Sequence, residues 1–470
     1  MTGKAATQEA AGSESTATIN GHISMRPTNE STNIASIPPE LLAVIFEMAL
    51  SKRRVQHKLP FEVILSHVSS LWRAVAITTP ALWTRIDIYS SQSSDCTINY
   101  LRRSGSQMLL DIRVDIYDAD KRFPSNLEHR RNVLIQSIVK TLFPHIHRAR
   151  SLLILACLEV TALSLLSHLN NSVAPHLQRL RVNVGHPAMN TRSASFKVFS
   201  KGLPQLTFLE TDLPHCMPLS LRNLTTLHLH TFTYNLNLSY TSFVAMITAS
   251  PSLCNLSIKG SLNPSRWPSH VNGPAFSMDN LKALFLPDDS LLAARILLAI
   301  SAPKLESLWL GSSFGRYSEF FNAPQIIGGH IKFPALKYLT IPCYNLYYCT
   351  EFSSVFPTVT HLYLPYANIF DQPQFKTTFA SYWRYLETLV VASIRRSQML
   401  KIHRALCHVL PLRRDAGYPI RQLLVDEDIC NVLNNHCPSI RQYIKINRLS
   451  LETYREPWWI MSHERHTDHP

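Results

Sequence analysis

At 470 residues the chain exceeds what one compact core usually takes, so several domains or one repeat array is expected. Apolar residues make up 46% and charged ones 17%, with 13 glycines against 29 prolines, a poor stock for glycine loops that cradle phosphates. Neither G-x-x-x-x-G-K-[ST] nor G-x-G-x-x-G occurs. The 46 basic and 32 acidic side chains leave a net charge of +14, but the basic ones come as scattered doublets such as Arg53–Arg54 and Arg395–Arg396. That distribution reads as a solvated surface, not a nucleic-acid stripe.

The nine cysteines include no C-x-x-C, so neither a zinc framework nor a secreted disulfide scaffold is indicated. Reduced thiols in an intracellular protein, cytoplasmic or nuclear, fit this usage, with no metal and no cofactor. The first thirty residues lack an apolar signal core, and no apolar run reaches the ~18 residues of a membrane span.

Residues 1–33 are small, polar and aperiodic and read as a disordered tail. Order is expected from residue 34. In IPPELLAVIFEMAL (37–50), Pro39 suits the first helical position and Glu40 the positive end of the helix dipole. Leu41, Leu42, Ile45, Phe46 and Met48 then give a broad apolar face. The basic stretch 51–58 reads as a loop. From Pro60, the residues Phe61, Ile64, Leu65, Val68, Leu71, Trp72, Val75 and Ala76 predict one amphipathic helix of four turns. Pro80 ends it, and Ala81–Leu82–Trp83 forms a short apolar anchor. Residues 34–84 thus read as a small helical module.

After the module the pattern changes. A phrase P-x-L-x-x-L-x-L recurs from PHLQRLRV (175–182) to a weak last copy, PSIRQYIK (438–445). Its first apolar position falls at 177, 206, 224, 253, 281, 305, 336, 359, 386, 420 and 440, a mean spacing of about 26 residues, within the range of leucine-rich repeats. The closing L-x-L is expected to be a short strand, and stretches such as YTSFVAMITAS (240–250) and SLLAARILLAIS (290–301) carry helical patterns. Strand and return helix form a unit that must stack on its neighbours, which predicts an α/β fold: a three-helix N-terminal module followed by an irregular leucine-rich-repeat solenoid over residues 85–450 with a curved parallel sheet. RIDIY (85–89), LLDIRVDI (109–116) and SLLIL (151–155) are degenerate first turns within 85–155. Residues 451–470 form a C-terminal tail in which Trp458–Met461 folds back over the final repeat.

Residues 37–86 resemble an F-box. The matching words are IPPELLAVIF and LSHVSSLWRAVAITTPALW, with Ile37–Pro38, Ile45–Phe46, Val68, Trp72–Arg73 and Leu82–Trp83 at the family's positions. TTPALW (78–83) is typical of fungal members. Ser69–Ser70–Leu71 stands where the family usually carries Cys-Arg, and the loop at 51–60 is longer and more basic than the minimal form. The resemblance implies an F-box protein with C-terminal leucine-rich repeats. Such a chain is the substrate-recognition subunit of an SCF-type cullin–RING ubiquitin ligase. It implies docking of a Skp-type adaptor through Pro38, Leu41, Leu42, Ile45, Phe46, Val68, Trp72, Leu82 and Trp83, and no catalysis in this chain. The alternatives are a repeat scaffold outside the ubiquitin system and a basic nucleic-acid-associated protein.

Strand alternation turns the residue between the last two apolar positions of each phrase away from the core. This row is Arg181, Glu210, His228, Ser257, Phe285, Trp309, Thr340, Tyr363, Val390 and Leu424. Phe285, Trp309 and Tyr363, with His228 beside them, are expected to form an aromatic ridge that binds a protein substrate. GSSFG (311–315) matches a nucleophile elbow, with Asp371 or Asp426 and His436 in hydrolase order. Its preceding strand is nevertheless one of the repeat phrases, so Ser313 is not expected to be catalytic. His463, His466 and His469 lie in the tail without a rigid second shell, and no metal is expected there.

Overall fold

A computed structural model describes residues 37–449 except 52–58, 90–93, 118–126, 187–196, 214–220 apart from Cys216, 237–239, 263–275 and short stretches of the loops after residue 286. The expected tails 1–33 and 451–470 therefore lie outside the described residues. So do Trp458–Met461, His463, His466, His469, Asp371 and Ser313. The chain divides into two compact units, Met1–Thr78 and Thr79–Pro470.

The first unit contains α1 (Pro39–Ser51), α2 (Phe61–Ser66) and α3 (Ser70–Thr78). Pro39 opens α1 and Glu40 occupies its first turn, as their chemistry requires. The four-turn helix expected from Phe61 onward is broken. The His67 and Val68 amides bond back to Ile64 and Leu65, ending α2. The Ser69 hydroxyl then accepts the Trp72 N–H at 3.1 Å, the N-cap bond that starts α3. An apolar stripe that runs in phase across a turn concealed the stop. Leu42, Phe46, Leu65, Val75 and Ala76 are buried, and the Phe46 and Trp72 rings meet at 4.9 Å.

Pro80–Trp83 forms one turn of 3-10 helix and falls within the second compact unit. Leu82 and Trp83 are buried; the Trp83 ring stacks edge-on against Tyr100 at 4.9 Å and lies under the Arg103 guanidinium at 4.3 Å.

The second unit is α/β. Its strands are β1 (Arg85–Tyr89), β2 (Leu110–Asp115), β3 (Ala149–Leu158), β4 (Arg179–His186), β5 (Phe208–Thr211), β6 (Thr226–Leu236), β7 (Asn255–Leu262) and β8 (Phe276–Ser277). They continue as β9 (Ala283–Phe285), β10 (Ile300–Ser301), β11 (Ser307–Trp309), β12 (Tyr338–Thr340), β13 (His361–Leu364), β14 (Thr388–Val391), β15 (Gln422–Val425) and β16 (Lys445–Arg448). Fourteen of them form one parallel sheet in strict chain order; β8 and β10 pair separately. Between strands run α4 (Ser94–Arg103), α5 (Leu127–Leu142), α6 (Glu159–Ser167) and later helices, including Tyr240–Thr248, Ser290–Ala299 and Met399–Asp415.

Register explains the repeated phrase. Ile86, Ile112, Leu152, Leu180, Leu209, Leu227, Leu256, Leu284, Leu308, Leu339, Leu362, Leu389, Leu423 and Ile446 stand side by side across the sheet. Every one is buried. A leucine side chain taken out of water contributes roughly 1.5–3 kcal/mol, so this aliphatic ladder is the main cohesive feature. The first apolar residue of each phrase, from Leu177 to Ile440, is buried as well. The opening proline sits second in a tight turn: Leu177, Leu206, Leu253, Leu305 and Leu336 each donate their amide to the residue before Pro175, Pro204, Pro251, Pro303 and Pro334. Its fixed φ suits that position, and its missing N–H costs nothing there. The last copy departs from the pattern. Pro438–Arg441 winds as a helical turn, so the strand begins at Lys445 and the ladder position falls to Ile446, three residues beyond Tyr443.

Candidate functional site

Two surfaces carry the residues singled out by sequence. The first is in the helical unit. Leu42 and Phe46 face its core, whereas Leu41, Val44, Ile45 and Met48 are 47–59% exposed along the other side of α1. Val68, in the turn after α2, is 56% exposed, Pro38 is exposed, and Trp72 is half-buried on Phe46. The nine expected docking residues therefore divide. Pro38, Leu41, Ile45, Val68 and the outer edge of Trp72 are accessible. Leu42, Phe46, Leu82 and Trp83 are internal and act by shaping the fold. Helix geometry accounts for the split: residues 42 and 46 share one face, while 41, 44, 45 and 48 share another.

The second surface is the sheet face opposite the ladder. The row Arg181, Glu210, His228, Ser257, Phe285, Trp309, Thr340, Tyr363, Val390, Leu424 is in register strand by strand. Arg181 at one end is partly exposed, Thr340 is buried, and the largest open side chains are three aromatics near the middle. Phe285, Trp309 and Tyr363 are half-buried, with Trp309 5.6 Å from both Phe285 and Tyr363 by ring centroids. At one flank Val390 and Leu424 are buried with Tyr363 and Leu449 packed against them. At the other, His228 is fully buried and not the exposed ridge member expected. Its ring lies 5.2 Å from Phe208 and 6.1 Å from His230, and Glu210 and Ser257 occupy the adjacent register positions. Neighbouring strands stand only ~4.8 Å apart, so large side chains in adjacent rows screen one another from water.

The burial of His228 exposes a polar cluster that the phrase-by-phrase reading did not assemble. Strands β4, β6 and β7 run past the L-x-L segment. Their next outward positions bring Asn183, His230 and Lys259 beside Glu210 and Asp212. The Arg181 guanidinium donates to Glu210 Oε2 at 2.7 Å, and the Asn183 amide donates to Oε1 at 3.0 Å. The Val184 N–H donates to Asp212 Oδ2 at 2.5 Å. His230 Nδ1 lies 3.9 Å from Glu210 and 3.8 Å from Asp212. Among the described residues Asp212 Oδ1 and Ser257 Oγ have no hydrogen-bond partner.

Burial alone would raise both carboxyls. At Glu210 the Arg181 and His230 charges and the hydrogen bonds overcome it and hold the acid at about 2. At Asp212 burial wins, reinforced by the Glu210 charge and opposed by the Val184 N–H, and the carboxyl rises to about 8. Burial lowers the His228 imidazole to about 3, against the attraction of Glu210. It lowers Lys259 to about 8, again against Glu210 and Asp212. Two nearby carboxyls pushed apart by their surroundings thus share one cluster, with Glu210 ionised, Asp212 protonated and His228 neutral at pH 7. The Lys259 ammonium lies 5.8 Å from the Phe285 ring, where the polar cluster adjoins the aromatic trio. The signal for this cluster was present in VNVGH (182–186), ETD (210–212), LHLH (227–230) and SIKG (257–260), each polar two residues beyond the row.

No helix among the described residues is long and apolar enough to cross a membrane. No protein-family model matches the chain, and no curated protein matches it.

Proposed function

We propose that the chain is a substrate-recognition subunit of an SCF-type cullin–RING ubiquitin ligase. In this reading the helical unit is an F-box that docks a Skp-type adaptor. The second unit is a leucine-rich-repeat solenoid, and its open aromatic trio receives a protein substrate. The chain performs no chemistry; it holds a target beside partner subunits that transfer ubiquitin. The carrying observation is α1, apolar on two faces with only one buried. A helix apolar all round belongs in an interior, and an exposed second face of this kind fits a helix-docking partner. Recurrence of the leucine phrase, at intervals of 18 to 34 residues, and in-register stacking of its strands support the reading of an irregular repeat array.

Affinity purification followed by mass spectrometry tests it. The natural chain is expected to retain a Skp-type adaptor and a cullin. Leu41→Asp combined with Ile45→Asp should remove both while leaving the thermal melt unchanged, because both side chains face water. Phe46→Asp is unsuitable, since it would unfold the unit. Trp309→Ala with Tyr363→Ala should release the substrate and keep the adaptor. A natural chain that retains no such adaptor ends the proposal, and strongly salt-dependent nucleic-acid capture in its place would favour the basic nucleic-acid-associated reading.

A further inference from the structure

A cleft of about 720 Å³ lies between α4 and α5 in the second unit, lined by none of the residues used above. Helical spacing builds it. Ser94, Ile98, Leu101 and Arg102 recur at steps of three and four on α4, and Gln136, Ser137, Lys140 and Thr141 do so on α5, with Pro144 and His145 closing one end. Its floor is apolar: Leu101 is buried, and Ile98 is 49% exposed in the middle, a β-branched side chain facing water. Among the described residues that line it, the charges are of one sign: Arg102 and Lys140 are exposed on opposite walls, and none is a carboxylate. The Arg102 guanidinium donates to a neutral acceptor, Asn99 Oδ1, at 3.2 Å. His145 is pressed below its usual range by burial and by the neighbouring Arg148 and His147. A concave site with an exposed aliphatic floor and two cationic walls is complementary to a ligand with an apolar side chain flanked by negative charge.

We propose that this cleft binds an acidic peptide segment of a partner protein. An apolar residue of the peptide seats on Ile98 and Leu101, and flanking carboxylates lie against Arg102 and Lys140. The cleft is lined by residues of the second unit and shares none with the aromatic trio, so its test does not depend on adaptor docking. An extended peptide rises ~3.3 Å per residue, so a few residues of such a segment suffice to bridge the two walls.

The test uses the full chain and fluorescence anisotropy with a labelled Glu-Glu-Leu-Phe-Glu-Glu peptide. Expected is saturable binding that weakens with added salt and falls at least about tenfold in Arg102→Glu combined with Lys140→Glu, because two attractive contacts become repulsive. Ile98→Ser should weaken the same peptide without changing net charge, and these exposed positions leave the fold intact. Bound peptide should also raise the His145 titration point followed by NMR, because an anion offsets the cations beside it. Equal binding of a Gln-Gln-Leu-Phe-Gln-Gln peptide overturns the proposal, as does equal binding of an oligothymidylate of the same charge. Unchanged affinity in the variants overturns it as well.

Discussion

The outer face of the long sheet has two halves that solve the same problem differently. Over β4–β7 the outward side chains are polar and, beyond the partly exposed Arg181, closed from water: Glu210, His228 and Ser257 are at most 1% exposed. Over β9–β13 three of the four are aromatic and half open, Phe285, Trp309 and Tyr363, with their rings tilted against one another across the buried Thr340. Both halves rest on the same aliphatic ladder. The contrast teaches that one repeat phrase specifies the buried side uniformly and leaves the opposite side free to be internal in one stretch and available in the next.

The largest effect should ignore the contrast. Leu256→Ala beneath the closed half and Leu339→Ala beneath the open half should each cost about 2–5 kcal/mol in chemical denaturation, since both are fully buried. A large difference between them would mean that the ladder is not one core. The next effect should display the contrast. Arg181→Ala strips the cationic partner from a carboxylate that is 1% exposed and should cost about 2–3 kcal/mol, less than for a fully buried pair because the arginine is partly wet. Trp309→Ala in the open half should cost less, about 1–2 kcal/mol, because its ring already meets water. Equal losses would erase the distinction between the halves.

The smallest effect is a pH slope. The Asp212 carboxyl titrates at about 8 in the fold, above the ordinary 3.8. Above pH 4 the unfolded chain has released this proton while the fold still holds it. The contribution is therefore full below pH 4 and is lost as pH climbs toward 8. Asp212→Asn, which can still accept the Val184 N–H, should be more stable than the natural chain at pH 8 by about 1 kcal/mol or more, with the gap closing toward pH 4. Thermal melts at pH 4, 6 and 8 read this directly, and a gap independent of pH would place Asp212 in contact with water.

The ladder was legible because it obeys one rule: leucine at the second place of each repeated strand, a fixed three residues after the first apolar position of the phrase in every copy but the last. Strand alternation likewise placed all ten outward residues in one register row. What escaped notice depends on neighbours supplied by other repeats. Nothing in LHLH says that the ring at 228 is covered, since Phe208 and His230 reach it from flanking rows. Nothing in LRRDAG says that Arg413 is fully buried, donating to the carbonyls of Phe379, Tyr382 and Trp383. The break at residues 67–69 was readable, because Ser69 three places before Trp72 is a helix-start signature. The in-phase apolar stripe outweighed it.

Strict chain order has a mechanical consequence. Each interior strand of the long sheet is held by two neighbours, but β1 and β16 have one each. Tension on the ends of this unit loads the terminal strands first, and each strand that peels hands the load to the next. Such a sheet yields as a row of small steps, not one break, and damage at one rim leaves the far end standing.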